Sequence, residues 1–244
     1  MAGQYKVNVV HYRYIMLVKL IHFTPNPEHA VALAARLCYS PVTIDALQEK
    51  ISGDDIKGFL EKIMSLGHQS VLEHASFTFG IEGVSRVTTH QLVRHRLASF
   101  SQQSQRYVSH KERFAAITPT SIAAHPEIRE RFAEQLRSIH RFYAEMIEAG
   151  IPAEDARYIL PNATETKIMV TMNARELFHF FRLRCCERAQ WEIREMSLEM
   201  LKLVKAVAPT IFRNAGPGCL NGPCPEGPMT CGKASETRDF YKNL

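Results

Sequence analysis

Fourteen consecutive residues in the middle of the chain, Arg94-His95-Arg96-Leu97-Ala98-Ser99-Phe100-Ser101-Gln102-Gln103-Ser104-Gln105-Arg106-Tyr107, hold three arginines, one histidine, three serines and three glutamines. They offer almost nothing to bury, so the stretch reads as the mouth of a site on a core supplied from elsewhere. Just before it, Val84 to Val93 reads as an ordered element compatible with a helix, with Val84, Val87 and Leu92 able to face a core. Arginine suits phosphate because its planar fork donates paired hydrogen bonds and keeps its charge. Serine and glutamine add neutral donors and acceptors that can read a base or a ribose. Charge alone would favour a solvated basic loop. On a continuous helix Arg94 and Arg96 would point about 200° apart, so they serve different partners or the helix has ended. Gln91, Arg94 and His95 would share a helical face, which fits two ligands meeting at one place.

With 244 residues the chain can bury one substantial core. Apolar content of 45% and charged content of 23% are ordinary for a globular protein. A net charge of +5 fits an enzyme of polyanionic substrates as well as a nucleic-acid binder. No apolar run approaches the roughly 20 residues of a membrane span. His11, Arg13 and Lys19 interrupt any signal-peptide stretch. Cys38, Cys185 and Cys186 do not resemble a secreted disulfide framework, so a reducing cytoplasm is the simple expectation.

Taken in order, residues 1–15 read as an N-terminal extension, with Met16 an alternative start opening a strand through Phe23. Glu28 to Tyr39 reads as a helix with Ala30, Leu33, Ala34 and Leu37 on one face. Asp54 is placed to cap the next helix, whose stripe is Ile56, Phe59, Leu60, Ile63 and Met64, and Gly67 to end it. Ser76 to Glu82 alternates as a half-buried strand. Glu127 to Ala149 forms a long helix with Ile128, Phe132, Leu136, Ile139, Tyr143, Met146 and Ile147, closed by Gly150. A short helix, Ala153 to Tyr158, carries Arg157, and Thr164 to Met172 is a strand. Asn173 caps a helix on which Arg175 and His179 share a face, while Arg184 lies half a turn round. Either that helix breaks or it separates two sites in an oligomer. From Ala189 a long helix containing Trp191 runs to Val207, closed by Pro209, and from Asn214 a Gly, Pro and Cys-rich tail begins. No dinucleotide fingerprint or phosphate loop is present.

Arg94-His95-Arg96, then seven residues, then Ser104, with Arg106 two further on, resembles the signature of the flavin-dependent thymidylate synthases over roughly residues 16 to 213. The segment Gly67 to His74 is similar to that family's first flavin-contacting loop. The resemblance implies methylation of dUMP to dTMP, with methylenetetrahydrofolate supplying the carbon and FAD, reduced by NADPH, supplying the hydride. It implies FAD at Ser70, Arg94, His95, Arg96, Gln102, Asn173, Arg175 and His179. It implies dUMP at Gln91, Leu92, Val93, Arg94, Gln102, Gln103, Ser104, Gln105, Arg106, Arg157 and Arg184. Gln102 stands where many members have Glu, and His179 where others have Asn. The implied assembly is a homotetramer with sites shared between subunits. The expected fold is α+β, one domain over residues 16–213 with a central, mostly antiparallel sheet packed with long helices; residues 214–244 are the tail.

Arg184 is assigned electrostatic activation of the pyrimidine, since arginine cannot act as a proton-accepting base. No cysteine lies in the signature, and Cys185-Cys186 lacks a neighbouring activating histidine, against chemistry in which a thiol adds to the pyrimidine. The tail thiols Cys219, Cys224 and Cys231 need one more ligand for a tetrahedral zinc, and Cys185 or Cys186 would supply it across space. A flexible tail with free thiols, an oxidised disulfide, or an iron–sulfur cluster are the other readings. A basic nucleic-acid-binding protein with a C-terminal metal knuckle and a structural oligomer are the rival classes; the enzyme reading itself implies neither nucleic acid nor membrane as a partner.

Overall fold

The computed structural model describes residues 16–51, 55–111 and 115–244. Its strands are β1 (Leu17–Phe23), β2 (Ser76–Ser85), β3 (Ala98–Gln102) and β4 (Glu165–Asn173), in one antiparallel sheet of order β1-β2-β4-β3. The helices are α1 (Pro27–Leu37), α2 (Ile44–Ile51), α3 (Ile56–Ser65), α4 (Arg86–Leu92), α5 (Thr120–Ala123), α6 (Pro126–Glu148), α7 (Ala153–Ala156), α8 (Ala174–Arg184), α9 (Trp191–Val207), α10 (Pro209–Phe212) and α11 (Ala234–Lys242). The fold is α+β, as expected. The chain divides into two compact units, one built from Ile81–Leu92 and Ser101–Ile168, the other from Val18–Gly80, Val93–Phe100 and Met169–Leu244.

In the first unit α6 buries Ala133, Leu136, His140 and Tyr143, spaced by three and four residues along one face. Ile128, expected on that stripe, is exposed because it lies a turn before the buried face begins. His140 Nε2 lies 2.8 Å from the carbonyl of His110 and 3.0 Å from that of Lys111, and Tyr143 Oη accepts from the His110 N–H at 3.4 Å. The helix thereby anchors the loop that follows the arginine-serine stretch. It ends at Gly150, whose φ of 84° lets Ile151 N–H return to the Met146 carbonyl.

In the second unit, Phe212 is an aromatic hub, with ring centroids 5.4 Å from Phe77, 5.5 Å from Phe178 and 6.2 Å from Phe181. Around it α9 buries Ile193, Met196, Met200, Leu201 and Val204. The buried face of α1 is Val31, Ala32 and Ala35, not the expected face with Leu37, which is exposed. Apolar residues surround this helix, so its neighbours α2 and α3 select the face. Asp54 lies outside the described residues; the cap of α3 is Asp55, which accepts from Gly58 N–H at 2.9 Å. Gly67 (φ 75°) ends that helix, with His68 N–H returning to the Ile63 carbonyl.

Two expectations are corrected. The run from Ala189 is not helical at its start: α8 stops at Arg184 and α9 begins at Trp191, with Gln190 accepting from Glu192 and Ile193 N–H at 3.1 Å each. The tail beyond Asn214 does contribute to the core. Ala215, Cys219, Leu220 and Tyr241 are buried, and Tyr241 Oη donates to the Cys185 carbonyl at 3.2 Å.

Replacing the hub ring, Phe212→Ala, is expected to cost about 3–5 kcal/mol in urea-unfolding free energy. Phe142→Ala, at a ring that is 50% exposed, should shift the same midpoint little.

Candidate active site

The second unit holds a cavity of about 1050 Å³ at the N-terminal end of α8. Arg94, His95, Arg96, Asn173, Arg175 and His179 line it, which gathers most of the residues expected at the flavin. Ser70, the exposed first residue of a 3-10 turn through His74, is not in the lining, where Gln69 and Glu73 stand instead. Asn173 accepts from Glu176 N–H at 2.9 Å and so caps α8. Arg175 pairs with Glu73, both half exposed.

The expectation that Gln91, Arg94 and His95 share a helical face is corrected: α4 ends at Leu92, and Arg94 and His95 follow in a turn. That turn delivers His95 to a buried position, 4% exposed. Its Nδ1 lies 3.2 Å from Glu176 Oε1, and its Nε2 accepts from Arg184 Nε–H at 3.0 Å. An Nε2 that accepts carries no proton, so His95 is neutral and its Nδ1–H donates to Glu176. Electrostatics agree. Burial, then Arg184 and His179, lower the His95 pKa to about 4. The contact with Glu176 is therefore a hydrogen bond between a neutral ring and a carboxyl whose own pKa burial raises. Arg184, half-buried, has its pKa lowered by burial and then by Arg94. Helix α8 does not break before Arg184, and Arg184 at its end reaches His95.

His95, Glu176 and His179 bring ligand atoms within 4.8 Å of one another, a spacing that could hold a metal ion. The Arg184 N–H directed at His95 Nε2 places positive charge where a cation would sit, which disfavours that use. Large anionic ligands fit better: the volume reaches the upper end of the roughly 300–1,000 Å³ typical of ligand pockets, and four arginines, Arg94, Arg96, Arg175 and Arg182, line it.

In the first unit two of the remaining expected residues, Arg106 and Arg157, reach Glu154. Arg106 Nε donates to its carboxylate at 2.8 Å and Arg157 Nε to its backbone carbonyl at 3.0 Å. Ser104 Oγ accepts from Arg106 N–H at 3.1 Å, setting a tight turn through Gln105. Gln91 Nε2 donates to the Val87 carbonyl at 3.3 Å. Gln102 turns its amide nitrogen onto Thr89 Oγ1 at 2.9 Å and Thr166 Oγ1 at 3.3 Å. Leu92 is wholly buried, so its side chain is core, whereas Val93 is exposed. Arg86 carried no sequence signal beyond its charge. Its Nη2 donates to the Gln103 carbonyl at 2.9 Å, while Gln103 N–H donates to the Lys167 carbonyl at 2.9 Å. Burial and then Arg157 lower the Arg86 pKa, and its buried Nε lacks a partner among the described residues.

Residues 19–210 match the family model described as thymidylate synthase complementing protein. A curated flavin-dependent thymidylate synthase of Geobacter sulfurreducens is 63% identical over 94% of this chain and 99% of its own. Those of Clostridium tetani and Pyrococcus horikoshii are 50% and 48% identical, over 92% and 93% of this chain and 96% and 97% of their own. The chain belongs to the flavin-dependent thymidylate synthase family. A UMP/dUMP methylase from Streptomyces cacaoi, solved with 5-Br dUMP, shares the fold with a TM-score of 0.69 at 24% identity, covering 82% of this chain and 94% of its own. Within this family fold, Glu176 is the residue the sequence concealed: its position on α8 reads as a routine first-turn acid, yet it orients His95.

The His95 environment sets a pH dependence. Its folded pKa near 4 lies below the ordinary 6.5, so the unfolded chain binds the extra proton between those values. Stability contributed by neutral His95 is present above pH 6.5 and is lost as pH falls towards 4, by up to about 3 kcal/mol. Glu176, raised, acts oppositely, losing stability as pH rises above 4.5. Urea midpoints compared between pH 4.5 and 7.5 should therefore fall more steeply on acidification for the unmodified protein than for His95→Gln. Equal slopes would show that His95 is not held neutral.

Proposed function

We propose that this chain methylates dUMP at C5 to give dTMP, with methylenetetrahydrofolate as carbon donor and FAD, reduced by NADPH, as hydride carrier. The observation that carries the reading is Arg184 bonded to neutral His95, which lines a cavity together with Arg94, Arg96 and Arg175: guanidiniums gathered there concentrate positive charge for an anionic ligand. The relatives from Geobacter sulfurreducens and Clostridium tetani, named as flavin-dependent enzymes, support the flavin. The Streptomyces cacaoi methylase, which holds 5-Br dUMP, supports the uracil nucleotide.

Uracil C5 becomes nucleophilic as negative charge gathers on the N3–C4–O4 edge. A guanidinium aimed at that edge stabilises the charge as it develops, by roughly 3–4 kcal/mol per donor. Arg184 takes this role, and His95 positions it by accepting its Nε–H. Arg94, Arg96 and Arg175 would hold the flavin's diphosphate, with Asn173 and His179 beside it. Reduced flavin, when bound, supplies the hydride. Ser104, Gln105 and Arg106 would take the nucleotide phosphate, Arg106 leaving an exposed ion pair with Glu154 that is worth at most about 1 kcal/mol. Gln91, Arg157 and the backbone around Val93 and Gln103 complete the proposed nucleotide contacts.

The active form is proposed to be a cytoplasmic homotetramer with sites shared between subunits. Large side chains beside site residues are exposed in the single chain: Leu97 at 76%, Tyr107 at 82% and Tyr158 at 87%. No helix among the described residues is long and apolar enough to cross a membrane. A fully active monomer on a sizing column would refute the shared-site assembly.

The protein should purify yellow and bleach anaerobically with NADPH. Arg184→Ala should keep the flavin absorbance while dTMP formation falls about 10²–10³-fold. Arg94→Ala should weaken both ligands in separate titrations. Flavin loss from Arg184→Ala with unchanged nucleotide affinity would reverse the assignment.

A further inference from the structure

A second cavity, of about 340 Å³, lies between the end of α8 and the tail, and four of its lining residues are cysteines: Cys186, Cys219, Cys224 and Cys231. All six thiols of the chain are free. Cys219 is buried, and Cys186, Cys224 and Cys231 line the same cavity with it. Cys185 does not join them. It is absent from that lining and buried, its Sγ 3.3 Å from Ser197 Oγ.

The protein alone gives the tail little reason to curl round this cavity. From Asn221 to Lys233 no residue is buried, so the segment has no apolar core to offset the entropy of ordering it. Its visible fastenings are polar: Arg238 donates to the Cys219 carbonyl at 2.8 Å and the Gly222 carbonyl at 2.7 Å, and Arg188 donates to the Met229 carbonyl. Gly218 permits a close approach, since a Cβ there would meet Pro225 Cγ at 2.7 Å. Turns rich in Gly and Pro, presenting thiols to one space beside Arg182 and Arg188, are what a thiolate-bound metal centre requires.

We propose that Cys186, Cys219, Cys224 and Cys231 ligate an iron–sulfur cluster. A single zinc ion is the poorer fit. Zinc–sulfur bonds of about 2.3 Å put the sulfurs of one tetrahedron about 3.8 Å apart. Among the described residues no three of these thiols lie within 4.8 Å of one another. A four-iron cluster lets each thiolate take a different iron, with inorganic sulfide filling the centre, and so suits separated thiols around an open cavity. Loading from a donor cluster is ligand exchange. Four Cys S–H groups release four protons, four iron–sulfur bonds form, four donor thiolates leave protonated, and no electron moves. Arg182 and Arg188 offset the negative charge of the ligated cluster. The cluster's effect is structural, because Asn214, Gly216, Pro217, Gly218 and Asn221 of the same tail line the cavity that holds Arg94 and Arg175.

The test is elemental. Full-length protein made in iron-supplied cells and purified anaerobically without chelator is assayed for iron, acid-labile sulfide and zinc, with Mössbauer spectra to separate cluster iron from adventitious iron. About four irons and four sulfides per chain are expected, falling at least about tenfold in Cys224→Ser and in Cys231→Ser, while exposed Cys38→Ser keeps them. Stripping the iron should speed trypsin cleavage at Lys233. One zinc per chain without sulfide overturns the cluster. So does less than about a tenth of an iron per chain after anaerobic reconstitution with iron and sulfide.

Discussion

The hydrogen-bonded series from Glu176 through His95 to Arg184 constrains the rest of the site. It fixes the protonation of the histidine, since Nε2 can accept from a guanidinium only when it carries no proton. It ties the turn after α4 to helix α8, because His95 comes from the turn and its two partners from the first and last turns of that helix. It also gives a half-buried arginine a neutral partner, so the guanidinium is oriented while its charge is retained. Asn173 supports the arrangement from below, its side chain receiving the N–H of the residue whose carboxyl holds His95.

Much of this was legible in the sequence. Period and caps located β1, α3, α6, β4 and α8, and Asn173, Gly67 and Gly150 act as the helix-end residues their types imply. Arg94, His95 and Arg96 line one cavity with Asn173, Arg175 and His179, while Ser70 and Gln102 lie outside its lining. What escaped notice has physical causes. Strand β3 is polar and stands at the sheet edge, where backbone pairing with β4 substitutes for an apolar pattern. The break between α8 and α9 contains no Pro or Gly, and its cap is a glutamine, a residue outside the usual capping set. The tail looks coreless by composition, yet Ala215, Cys219, Leu220 and Tyr241 are buried on either side of residues 221–233, which bury nothing. Arg86 and Glu176 are invisible because a charge in a sequence does not announce which backbone or ring it will meet.

The arginines separate into two groups by partner, and the separation bears on what each can do. Arg106 and Arg175 sit about half exposed on the carboxylates of Glu154 and Glu73. Such pairs contribute little in water, and an incoming phosphate, with more acceptor oxygens and greater charge, competes for them readily. These side chains are held in place without being committed. Arg86 and Arg184 are different. Each is half-buried and directed at a neutral acceptor, the Gln103 carbonyl in one case and His95 Nε2 in the other. Each also faces another arginine, Arg157 or Arg94, that lowers its pKa. A guanidinium so placed has lost part of its hydration and stays charged because its intrinsic pKa is so high. Burial and a neighbouring guanidinium act in the same direction at these two positions, whereas at the exposed pairs a carboxylate already balances the charge.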